Sequence, residues 1–195
     1  MLPAEVLIVV RWFHFLAGIT WIGLLFWFSL VNVNFMKTLD ATTRPVVVPQ
    51  LLTRALFWFR HSSWVTVLVG FVLIYGLYWQ TGRADLLHDN GFKTIFSGMV
   101  LGLVMLFNVW FVVWPNQRRA LAAMASGTPP DPAWARDTLY ASRANATMSF
   151  PLLFFMGASS HFPLDWPQIL LVTVVAGALG LTVVLYVQKW AAARF

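Results

Sequence analysis

Two basic side chains open the first apolar stretch of the chain, RWFHFLAGITWIG, which begins at Arg11. Arg11 and His14 are three residues apart, so a helix places them on one face. Another apolar stretch ends at His161, and the chain has two further histidines, His61 and His88. An imidazole in lipid is costly without a partner, so a histidine there is typically functional. A ligand site is therefore the first hypothesis, and a hydrogen bond between helices is its alternative.

Haem fits this sparse set of histidines better than a bare metal ion does. Metal ions without porphyrin need three or four protein ligands, and the apolar stretches supply no carboxylates. Haem iron needs only two axial ligands, and imidazole serves well. We therefore predict one haem b, with His14 and His161 as axial ligands. The chain has no cysteine, which excludes CxxCH haem attachment, iron–sulfur clusters and disulfides.

Small and basic residues near these histidines can complete a haem slot. Gly18 lies one helical turn after the first histidine, and Gly157 lies one turn before the second. Small residues let a flat macrocycle or another helix come close. Arg11 is predicted to pair with haem propionates, and its alternative role is that of an interfacial anchor. The GxxxG pair at 98–102 fits either a haem contact or ordinary helix packing.

The composition is that of a membrane protein. The 195 residues are 59% hydrophobic and only 10% charged, whereas globular domains carry about 25% charged residues. The mean hydropathy is +0.73. The net charge of +6 does not indicate a nucleic-acid partner, because the basic residues lie in short loops between apolar stretches. That placement is typical of topology signals.

Five apolar stretches approach the roughly 20 helical residues that a bilayer core requires. We predict an all-α integral membrane protein, a five-transmembrane-helix bundle that forms a single domain over 1–195. The first stretch has no small-residue cleavage site, so we expect it to be retained. Pro115 is predicted to end the third helix and Pro151 to bend the fourth. The predicted spans are about 4–36, 55–79, 92–114, 139–160 and 167–189.

The basic residues predict the orientation of the bundle. With five spans, ten of the 13 Lys and Arg residues share one side, and cytoplasmic loops carry such an excess. The amino terminus is therefore predicted outside and the carboxyl terminus in the cytoplasm. The ten are Lys37, Arg44, Arg54, Arg60, Arg118, Arg119, Arg136, Arg143, Lys189 and Arg194, against Arg11, Arg83 and Lys93 on the other side.

Three blocks of this sequence resemble the membrane-bound urate oxidase amino-terminal domain family. They are RWFHFLAGITWIG, NVWFVVWPNQ at 108–117 and FPLLFFMGASSHFPL at 150–164, with GTPPDP between the last two. Family members with the full architecture end in a c-type cytochrome domain, oxidise urate and pass electrons to the respiratory chain. In this chain, which has no CxxCH, another subunit would have to take the electrons. The positions that the resemblance supports are Arg11, His14, Trp21, Pro115, Asn116, Gln117 and His161.

We therefore expect a b-type haem-binding membrane cytochrome subunit that transfers electrons in or next to a respiratory complex. It would be a multi-pass protein of the bacterial inner (cytoplasmic) membrane. Its partners would be lipid, other membrane subunits or a c-type cytochrome, and not nucleic acid. One alternative is a urate oxidase-like oxidoreductase, which the resemblance implies. A weaker resemblance is to small haem-binding membrane proteins linked to protoporphyrinogen oxidation. Those proteins carry a Lys on the third span, and Lys93 could occupy a comparable place. A structural subunit without cofactor is the remaining alternative.

Overall fold

Five long helices joined by short connections make up the part of the chain that the structure describes. The computed structural model describes residues 2–82 and 85–189, and within these ranges the only regular secondary structure is helical. Arg83 and Arg194, which entered the charge count, lie outside the described residues. The helices are α1 (Ala4–Thr38), α2 (Arg44–Trp79), α3 (Asn90–Ala125), α4 (Pro132–His161) and α5 (Trp166–Lys189).

Consecutive helices run in opposite directions, so the bundle has two distinct ends. At the His161 end, α1, α3 and α5 begin while α2 and α4 finish. At the Lys189 end, the directions are reversed. Two contacts at the His161 end fix this arrangement: the backbone amide of Leu2 donates to Gln80 Oε1 at 2.6 Å, and that of Leu164 donates to Thr94 Oγ1 at 2.8 Å.

Four of the five helices, α1, α2, α3 and α5, are long and apolar enough to cross a membrane. The 30-residue α4 is long enough but more polar. It packs between α3 and α5 and also contacts α1, and its polar residues Asn145 and Ser149 are buried. These polar groups meet protein rather than lipid, which makes them tolerable at this depth.

Glycines set the closest approaches around α4. A Cβ on Gly98 of α3 would lie 3.2 Å from Phe155 Cβ, and one on Gly102 would lie 3.6 Å from Leu152 Cδ1. The GxxxG pair therefore serves helix packing in this structure. On the other side of α4, a Cβ on Gly180 of α5 would lie only 2.7 Å from Phe150.

Three helices contain a widened π-helical turn: α1 at Trp27–Asn32, α2 at Tyr75–Trp79 and α3 at Asn108–Val113. The third of these turns comes directly before Trp114 and Pro115. The prediction that Pro115 ends the third helix is wrong, since α3 continues to Ala125. A proline inside a helix removes one donor and crowds the preceding turn. An adjacent π-helical turn changes the bonding pattern at that point, so the chain can remain helical.

The helices also extend beyond the predicted spans at the Lys189 end. The second span was predicted to begin at residue 55, but α2 begins at Arg44. Its first turns bury Val48, Leu52 and Leu56 in a small core. Side chains from the ends of α1 and α3, including Met36 and Trp114, pack against that core. Burial against protein therefore adds about ten residues to a helix whose apolar stretch alone appeared shorter.

The tight α4–α5 crossing gives a test of this packing. Gly180→Ala would force a methyl group onto Phe150, and such overpacking typically costs about 1–3 kcal/mol. We expect a lower unfolding temperature in detergent. The matched control is Gly177→Ala on the same helix, where an added Cβ meets nothing within 4 Å. It should be neutral or stabilising by up to about 1 kcal/mol. Equal unfolding temperatures for the two variants would contradict the packing described here.

Candidate functional site

The ring of His14 is held between α1 and α2 by one hydrogen bond. Its Nδ1 lies 2.9 Å from the backbone carbonyl oxygen of Thr66. A carbonyl oxygen can only accept, so Nδ1 must carry the proton and donate it. In the neutral ring the lone pair then lies on Nε2. Metal-binding histidines characteristically donate their other N–H in this way, which fixes the ring and raises its basicity as a ligand.

Gly70 makes room for this ring. A Cβ added there would lie 3.5 Å from His14 Nδ1 and 3.1 Å from its Cε1, and the second distance is shorter than most Cβ contacts. Gly18, a predicted slot residue, faces the same helix, and its added Cβ would meet Thr66 Cγ2 at 3.8 Å. The two glycines therefore bring α1 and α2 close enough for the imidazole to reach a backbone carbonyl.

Arg11 lies one turn before His14, nearer the His161 end, and is partly buried. Within the described residues, the ion pairs that involve side chains are Asp85–His88 and Arg136–Asp137. No carboxylate in that part of the chain pairs with Arg11. Its guanidinium is therefore available to an anionic group that is not part of the described chain.

His161 is the last residue of α4, and its side chain is exposed. His14 lies ten residues beyond Ala4, which is about 15 Å along the helix, and its ring faces α2. The structure therefore does not bring His14 and His161 into contact. Gly157 is exposed, and a Cβ there would meet nothing within 4 Å.

The other two histidines lie apart from this site. His88 is exposed in the connection before α3, and its Nδ1 is 2.6 Å from Asp85 Oδ1. His61 lies on α2, where Arg60 Nη2 approaches its Nε2 at 3.0 Å and Trp64 Nε1 approaches its Nδ1 at 3.2 Å. Both neighbours are donors, and a neutral imidazole accepts at only one nitrogen. Arg60 and Trp64 therefore compete to donate a hydrogen bond to the one ring nitrogen of His61 that can accept.

Thr66 and Gly70, which hold and accommodate His14, were missed by sequence reasoning. Thr66 uses its backbone carbonyl, so its side chain carries no signal of this role. Gly70 is a small residue inside an apolar stretch, which is a weak indication of close helix contact. Only the way α1 packs against α2 shows that Thr66 and Gly70 both contact His14.

A protein-family model described as Urate oxidase N-terminal matches residues 92–194. The match covers α3, α4 and α5, and so includes His161 and the blocks at 108–117 and 150–164. The block around Arg11 and His14 lies outside it. No curated protein and no solved structure matches the chain.

The tautomer of His14 can be measured directly. In protein carrying ¹⁵N-histidine, we expect the His14 ring to carry its proton on Nδ1, and the signal that disappears in His14→Gln identifies this ring. Gly70→Ala should shift the same signal, because the added methyl group displaces the ring from Thr66. Gly23→Ala, whose Cβ would meet nothing within 4 Å, should leave it unchanged. A His14 ring protonated on Nε2 in the wild-type protein would contradict the hydrogen bond to Thr66.

Proposed function

Because the chain belongs to the urate oxidase N-terminal family, we propose that it is a haem b-binding membrane subunit that transfers electrons. The observation that carries this proposal is the ring of His14. Its Nδ1 donates to the Thr66 carbonyl at 2.9 Å, which leaves Nε2 free to bind iron. Family membership supports a link to redox chemistry, and the fixed imidazole supports a haem ligand.

Three residues near His14 support its role as a haem ligand. Thr66 would hold the ring in the ligating tautomer, and Gly70 would keep the space that the ring occupies. Arg11, which no described carboxylate neutralises, would pair with a propionate, as guanidinium groups do with carboxylates. When bound, haem supplies a one-electron redox centre whose potential its ligands and surroundings set. We propose His161 as the second ligand because its exposed ring forms no hydrogen bond with another described residue. This role would require the end of α4 to move toward α1, since the structure separates the two histidines.

We further propose that all five helices cross the bacterial inner membrane, with the His161 end outside and the Lys189 end in the cytoplasm. The excess of Lys and Arg at the Lys189 end supports this orientation. The buried polar residues of α4 support it as the fifth span, because its neighbours shield it from lipid. A haem near the His161 end would then face a c-type cytochrome or a larger respiratory complex.

Haem content tests the proposal. The detergent-purified protein should show a b-type α-band in its dithionite-reduced minus air-oxidised spectrum, and close to one haem per chain by the pyridine haemochrome assay. His14→Ala should lose most of this haem. His88→Ala, which alters an exposed histidine in a connection, is the control and should keep it. His161→Ala should change a low-spin spectrum to a high-spin one.

A colourless, folded wild-type protein would refute the haem proposal and favour a structural subunit. Full haem in His14→Ala would remove His14 as a ligand. An unchanged low-spin spectrum in His161→Ala would show that the second axial ligand is a residue other than His161.

Urate oxidation is the second candidate, favoured by the family match alone. In the same anaerobic cuvette, reduction of the haem on addition of urate would support a urate oxidase-like oxidoreductase. Reduction by quinol or by reduced cytochrome c, with no response to urate, would support the electron-transfer subunit instead.

A further inference from the structure

An apolar groove runs between α2 and α3 on the surface of the bundle. Its volume is about 320 Å³, and its walls are almost entirely carbon. Two of its phenylalanines, Phe107 and Phe111, are exposed at 56% and 69%, so the groove opens toward lipid. It is lined by Trp64, Leu103, Leu106, Phe107, Trp110 and Phe111.

The guanidinium of Arg60 lies at the end of this groove nearest Lys189. Arg60 lies one turn before Trp64 on α2, and its guanidinium carbon is 5.3 Å from the ring centroid of Trp110. Its distance to the ring centroid of Trp114 is 4.0 Å. Trp110 therefore forms part of the groove wall and also contacts the cation, so that the groove and Arg60 make one continuous surface.

Two buried N–H donors beside the groove have no hydrogen-bond acceptor among the described residues. Arg60 Nε and Trp110 Nε1 are both buried with no hydrogen-bond partner, and Arg60 Nη2 competes with another donor for His61. Within residues 2–82 and 85–189, no carboxylate forms an ion pair with Arg60. Unpaired donors and a positive charge in an apolar setting are costly. An anionic group rich in acceptors would relieve that cost.

We propose that this groove binds an anionic phospholipid, with the phosphate at Arg60 and one acyl chain along the apolar walls. Arginine pairs strongly with phosphate through charge-assisted hydrogen bonds, and the two flanking tryptophans hold the guanidinium in place. The groove lies at the small end of the range for ligand sites, which suits one acyl chain. Arg60 lies on the Lys189 side of the predicted span 55–79, and the basic residues gathered at the Lys189 end attract anionic headgroups to that leaflet.

This lipid site is separate from the proposed haem site. Arg60 and the groove lie near the middle of α2 and α3, on the face between these two helices. His14 lies on the other side of α2, between α1 and α2. The inference does not rest on the proposed function. Haem content measured on the same samples distinguishes failure of one proposal from failure of the other.

Lipid titration tests the site. Protein stripped of lipid in detergent is titrated with phosphatidylglycerol or with phosphatidylcholine of identical acyl chains, and bound lipid is counted by native mass spectrometry. The first phosphatidylglycerol should bind about fivefold more tightly than phosphatidylcholine, the gain expected from one arginine near a headgroup. Arg60→Gln should remove that preference. Arg54→Gln, an exposed arginine of α2 that donates to the Gln50 carbonyl of its own helix, should keep it.

A second variant tests the acyl-chain part of the groove with Arg60 intact. Leu103→Trp on the exposed wall should weaken binding of both lipids by filling the groove, without a change in fold. Equal affinity for the two lipids, or a preference that survives Arg60→Gln, would overturn the proposal. Displacement of the lipid by inorganic phosphate would identify a soluble-anion site instead. Displacement by a short-chain quinone that depends on Arg60 would identify a quinone site, which also overturns it.

Discussion

A polar side chain in apolar surroundings is stabilised when it finds a partner on a neighbouring helix, and bonds of this kind tie the helices of this bundle together. His14 donates to a carbonyl of α2. Asn145 of α4 accepts from Asn108 and donates to the Met105 carbonyl on α3. At the Lys189 end, Gln188 of α5 donates to a carbonyl of α1 and accepts from Arg143 of α4. The contacts α1–α2, α3–α4, α4–α5 and α1–α5 therefore each carry at least one directional bond in addition to their apolar packing.

The bond of His14 has a consequence that the others lack. The amide side chains of Asn145 and Gln188 use both donor and acceptor in their networks, so they are satisfied within the protein. His14 uses only its donor, and the acceptor on its second nitrogen remains. The ring orientation of such an imidazole is fixed by the Nδ1 hydrogen bond, and the Nε2 lone pair is available to a ligand. Metal-binding histidines have the same arrangement, with a supporting hydrogen bond on the other nitrogen. This difference is the physical basis of the proposed haem site.

The sequence predicts the helices well because lipid selects for apolar residues over a fixed length. It predicts their ends less well, since burial against protein extends α2 at Arg44 and a π-helical turn carries α3 past Pro115. His14 and Arg11 were found because charge and imidazole are rare in apolar stretches. Thr66 and Gly70 were not, because a backbone carbonyl and an absent side chain become visible only when two helices are set in register.

The most direct test of the account is rescue of His14→Gly by free imidazole. The account predicts that this variant, purified without imidazole, lacks the b-type band, and that haem added together with imidazole restores it. A His88→Gly protein should bind haem without imidazole. Such a result would place the lost ligand in the space left by the ring and would separate ligation from folding. A His14→Gly protein that retains its haem with no imidazole present would show that His14 is not a haem ligand.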